Sequence, residues 1–75
     1  MMVMQQVKYY TVTMLCNGEV WVVTTAQRNV EMALREGKKG FVEYLNRDAK
    51  PGTHPDNLYQ FQDIETISCS LVGTR

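Results

Sequence analysis

LCNGEVWVV, residues 15–23, holds two apolar runs that meet at Asn17-Gly18. Asn-Gly is the strongest short hairpin signal, because a type I′ turn requires positive φ at both central positions. A two-residue loop here pairs Cys16 with Glu19, and the register of the hairpin follows. Met14 then faces Trp21, Val12 faces Val23 and Tyr10 faces Thr25. Side chains alternate along a strand, so Tyr10, Val12, Met14, Trp21 and Val23 share one face, which reads as core. The other face sets Thr11, Thr13 and Leu15 against Thr24, Val22 and Val20. A solvated sheet face is normally more polar than this.

The next segment, TTAQRNVEMALREGKKG at residues 24–40, carries Ala26, Val30, Ala33 and Leu34 at helical spacing. Thr24 or Thr25 is the expected N-cap, and Thr24-x-x-Gln27 matches a capping box. Glu31 and Arg35 form an i, i+4 pair in the favourable order. Gly37 is the expected stop, with Lys38 and Lys39 near the negative end of the helix dipole. Such a helix, about three turns long, covers one face of a sheet. Trp21 is expected to pack on Met14 beneath it, under Val30 and Leu34.

Beyond the helix, FVEYLN at 41–46, LYQFQ at 58–62 and IETISCSLV at 64–72 read as strands. In the last, Ile67, Cys69 and Leu71 share a side. The intervening residues 46–57 hold both prolines and the lone histidine; Pro51-Gly52 suits a type II turn and Pro55-Asp56 a second turn. The expected fold class is α+β. It is a small single domain over residues 1–75, mainly antiparallel sheet in the order β-β-α-β-β-β, with one helix packed on one face. The segments 58–62 and 64–72 are alternatively one bent strand.

At 75 residues the core is thin, and a formal charge of zero gives no global field toward nucleic acid or anionic lipid. The opening MMVMQQVKYY lacks the positive start of a signal peptide, and no apolar run approaches the roughly 20 residues that span a bilayer. The chain therefore reads as cytoplasmic, without a membrane partner. Cys16 and Cys69 are expected to be free thiols in a reducing compartment; a disulfide between them requires secretion or a fold that brings them together.

Catalytic chemistry finds little footing. Asp63 and Glu65 read as solvated edge residues, not as an acid–base pair. Asp48, His54 and Asp56 match no known metal spacing, and Cys69 has no marked base. The expectation is a non-enzymatic chain with no cofactor and no metal.

Two short stretches resemble nucleic-acid motifs. GKKG, residues 37–40, is similar to the backbone-clamping G-x-x-G loop of KH domains, although there the loop joins two helices and here a strand is expected next. KGFVEY, residues 39–44, resembles a shortened RNP1 strand of RNA-recognition motifs. These resemblances imply a single-stranded nucleic-acid binder using Lys38, Lys39, Phe41 and Tyr44. The leading expectation is different. It is a small protein-binding module, of the kind an inhibitor or accessory protein from a phage or mobile element would be. Its interface is Leu15, Val20 and Val22 among Thr11 and Thr13, and its occupant is another protein or a second copy in a homodimer. The competing possibility is that the C-terminal segment folds back over that face.

Overall fold

A computed structural model describes residues 7–74; the reading of the first six residues lies outside them. Strand β1 (Lys8–Cys16) and strand β2 (Glu19–Gln27) form the hairpin, followed by helix α1 (Val30–Leu45) and strand β3 (Glu65–Thr74). The sheet is antiparallel with order β2-β1-β3, so β1 is central. The architecture is α+β, as expected. The turn has φ 51° at Asn17 and 77° at Gly18. The ladder pairs Cys16 with Glu19, Met14 with Trp21, Val12 with Val23 and Tyr10 with Thr25, the register that the Asn-Gly loop requires.

The helix is longer and later than its expected span. Thr24 and Thr25 lie inside β2, where the Thr24 hydroxyl meets that of Thr11 at 3.0 Å. The N-cap is Asn29, whose Oδ1 accepts from the Met32 amide at 2.9 Å. Gly37 does not stop the helix. A Cβ there would lie 3.3 Å from Met14 Cε and 3.4 Å from Val12 Cγ1, so the bare backbone lets α1 settle onto β1. The helix therefore runs on through residues 41–45, and the strand expected there is absent. Ala33, Gly37 and Phe41, each four apart, make a single buried stripe.

The strand expected at 58–62 is also absent. Residues 46–64 instead form a connector with 3₁₀ turns at Pro55–Asn57 and Phe61–Asp63. Gly52 has φ 86° in a turn closed by the Thr53 amide on Lys50 O at 3.1 Å, as the Pro-Gly pair suggests. The connector is pinned at Tyr59. The Asn46 side chain takes both polar groups of the Tyr59 backbone, donating to its carbonyl at 3.0 Å and accepting from its amide at 2.9 Å. The Tyr59 hydroxyl accepts from Asn17 Nδ2 at 2.9 Å, which ties the connector to the hairpin turn.

The core is Tyr10, Val12, Met14 and Cys16 from β1, Ala33 and Phe41 from α1, and Ile64. Trp21 joins it by a different route from the one expected. It stacks on Phe41, with ring centroids 5.4 Å apart, and meets Tyr44 at 4.8 Å, while Val30 is exposed. The helix thus lies on β1 through Gly37 and reaches Trp21 of β2 with its last turns. The molecule measures 50 × 26 × 17 Å, with a radius of gyration of 14.7 Å. A compact chain of this length would have about 11 Å.

Candidate interaction surface

The face of the sheet away from α1 is uncovered. Val20 and Val22 are each 61% exposed. Leu15 lies directly opposite Val20, and Thr13 opposite Val22, so the apolar side chains are contiguous. Thr11 closes the group through its hydroxyl contact with Thr24. The C-terminal segment does not fold back over them. β3 lies in the same layer as the hairpin, and its Ser68 and Ser70 pair with Thr13 and Thr11. It widens the open face with hydroxyl groups and leaves the valines bare.

A second set of exposed apolar residues lies on β3. Ile67, Leu71 and Val72 are all more than half exposed. Ile67 and Val72 are the extra residues at two register shifts against β1, between Thr13 and Met14 and between Tyr9 and Tyr10. Their strand character is plain in the sequence. Their exposure depends on the length and placement of the helix, which the local sequence does not fix.

The residues proposed for nucleic acid are dispersed differently from either motif. Lys38 and Lys39 lie in mid-helix, where no loop exists to clamp a backbone. Phe41 is 0% exposed, so it offers no face for a base to stack on. Tyr44 is already engaged, with Trp21 on one side and the Arg47 guanidinium 4.1 Å from its ring centroid. The KH-like and RNP1-like readings both fail on the same point: residues 37–45 are one continuous helix.

A cleft of about 490 Å³ opens between the hairpin turn and the connector, with Asn17, Tyr59, Asp56 and Asp63 on its walls. Its polar groups have structural tasks. Asp63 Oδ2 accepts from the Gln60 amide at 2.9 Å, and His54 Nδ1 accepts from the Asp56 amide at 3.2 Å. Among the described residues no three His, Cys, Asp or Glu side chains converge as metal ligands. Cys16 lies in the core beside this cleft. Burial first, then the charges of Asp63 and Glu19, push its thiol above the ordinary value. Cys69 pairs with Val12, four residues along β1 from Cys16. Roughly 13 Å therefore separates the two cysteines along the strand, beyond the reach of a disulfide. Both are free thiols.

Among the described residues no helix is long and apolar enough to cross a membrane. Comparison of the chain with models of protein families, with curated proteins and with solved structures finds no match.

Proposed function

We propose that this chain is a small, non-enzymatic protein-binding module, and that it associates with itself as a homodimer through the hairpin. The observation that supports this most directly is the pair of bare valines, Val20 and Val22, beside half-buried Leu15 on the open face. Contiguous exposed apolar surface on a small protein usually marks a contact, and symmetric dimers are the commonest oligomer. A second copy would also enlarge a thin core. The setting that fits is a cytoplasmic accessory or inhibitor protein of a phage or mobile element, acting by occupying another protein's surface. The nucleic-acid alternative draws less support, because Phe41 is committed to the core, Tyr44 is engaged by Trp21 and Arg47, and its lysines sit on a helix.

The test is sedimentation of the wild type beside Val20→Lys with Val22→Lys. The wild type should be dimeric at high concentration. The double variant should be a folded monomer, since neither valine contributes to the core under α1. A wild type that stays monomeric at every concentration would sink the homodimer.

A further inference from the structure

The two outer edges of the sheet differ in how they are protected. Natural edge strands are blunted by bulges, prolines or charges, because their free N–H and C=O groups invite pairing. β3 carries two register shifts, at Ile67 and Val72, which interrupt any regular row of outward groups. β2 carries none. Its nine residues, EVWVVTTAQ, pair with β1 without a break, and the only charge is Glu19 at its start.

The turn fixes which groups face outward. In a two-residue hairpin the residues flanking the loop form a hydrogen-bonded pair, and the bonding then alternates along the strand. Glu19, Trp21, Val23, Thr25 and Gln27 therefore direct their backbone groups to β1. Val20, Val22, Thr24 and Ala26 direct theirs away from the sheet.

We infer that β2 pairs antiparallel with β2 of a second copy, about a two-fold axis at Val23, to make one continuous six-stranded sheet. The inference rests on the self-association proposed above and places its seam at the β2 edge, which carries Val20 and Val22 and leaves Leu15 outside it. This register engages the outward groups of all four residues. Val20 meets Ala26 of the second copy, and Val22 meets Thr24 of the second copy. On the open face the two Val22 side chains become diagonal neighbours, within reach of each other at the centre of the sheet. On the helix face the two Val23 side chains meet, and both helices lie on the same side.

Charge selects the same arrangement. Glu19 opens β2 and Arg28 follows its last residue. Neither has an ion-pair partner among the described residues. Antiparallel pairing sets Glu19 opposite Gln27 of the second copy and within reach of its Arg28, and the two-fold makes this contact twice. Parallel pairing would put Glu19 against Glu19. A second copy of the chain is thus the occupant whose charges answer those of this edge.

Two measurements test the inference. The first is amide hydrogen exchange of the wild type, dilute and concentrated. The amides of Val20, Val22, Thr24 and Ala26 should slow by at least about tenfold as the dimer forms. The second is Val23→Cys under mild oxidation. Non-hydrogen-bonded antiparallel neighbours sit with Cα atoms about 4.5 Å apart, within disulfide range. A covalent dimer joined through the two introduced thiols is expected, with none from the wild type. A dimer whose four edge amides stay fast and whose introduced thiols do not join would overturn the edge pairing and leave self-association standing. A wild type monomeric throughout would remove both.

Discussion

The two strands that flank β1 are alike in composition and opposite in circumstance. β2 and β3 are both rich in β-branched and hydroxyl residues. Trp21 and Val23 of β2 are packed against the core, whereas Leu71 of β3 is 55% exposed although it pairs with Tyr10, a core residue. The difference lies in the helix. α1 follows β2 after a link of two residues, and its last turns bring Phe41 and Tyr44 onto Trp21. It covers β1 and β2, and of the apolar side chains of β3 only Cys69 packs against the core. Burial of a strand in a chain this small is decided by where its one helix lies, and only then by the residues the strand offers.

The largest expected effect contrasts the two flanks directly. Trp21→Ala removes a ring held between Phe41 and Tyr44 and should cost about 3–5 kcal/mol, enough to unfold a marginal domain. Leu71→Ala removes a side chain already in water and should cost less than about 1 kcal/mol. Urea denaturation of the two variants measures the gap. Equal costs would show that β3 has cover the structure does not contain.

The sequence shows the β2 flank far better than the rest. Asn17-Gly18 dictates the turn, the turn dictates the register, and the register sorts Val12, Met14 and Trp21 from Val20 and Val22 without any knowledge of the helix. All of that is local. The helix boundaries are not, because FVEYL is rich in β-branched and aromatic residues, and a short apolar run has no unambiguous period. Only a helix continued through Gly37 reveals that Ala33, Gly37, Phe41 and Leu45 lie on one stripe. Gly37 looks like a stop until Val12 and Met14 are known to lie beneath it. The cap expected at Thr24 or Thr25 lies at Asn29 instead, a residue type with the same capping chemistry about one turn later. The pin at Tyr59 had no sequence signal, since it joins residues from the hairpin turn, the helix end and the connector. The open face reads in the sequence as a mix of valines, Leu15 and threonines; that nothing within the described residues covers it depends on β3 joining the sheet edge.

A smaller effect tests whether α1 is seated by close approach to β1. Gly37 and Gly40 are three residues apart in the same helix, and in an exposed helix both would be unfavourable by about 0.5–1 kcal/mol against alanine. A Cβ on Gly40 meets nothing within 4 Å, so Gly40→Ala should stabilise the chain by that amount. At Gly37 the same methyl presses on Val12 and Met14, and Gly37→Val should cost about 1–3 kcal/mol by overpacking. Thermal melts of the two variants should move in opposite directions. A shift upward in both would mean that the helix floats above β1, and the contrast between covered and uncovered strands would lose its cause.

The smallest effect concerns the two thiols, one in the core and one on the less covered flank. Burial raises both above the ordinary value, and Cys16 is raised further by Asp63 and Glu19. An acid whose folded pKa is raised holds its proton more tightly when folded. Its contribution to stability is complete below the unfolded thiol value, about 8.5, and is lost as pH climbs through the higher folded value. Alkaline solution should therefore weaken the wild type more than Cys16→Ala, when each is compared with its own stability near neutrality. The two proteins differ only at residue 16, so the difference isolates that thiol. Reactivity gives the same ordering by an independent route. Only the thiolate is a good nucleophile, and Cys69 is half-buried where Cys16 is fully buried. Iodoacetamide should modify Cys69 first in the folded protein, with Cys16 following only as the chain opens. If Cys16 reacts as fast as Cys69, then the hairpin end beside the cleft opens on its own, and the covered flank is less secure than its packing implies.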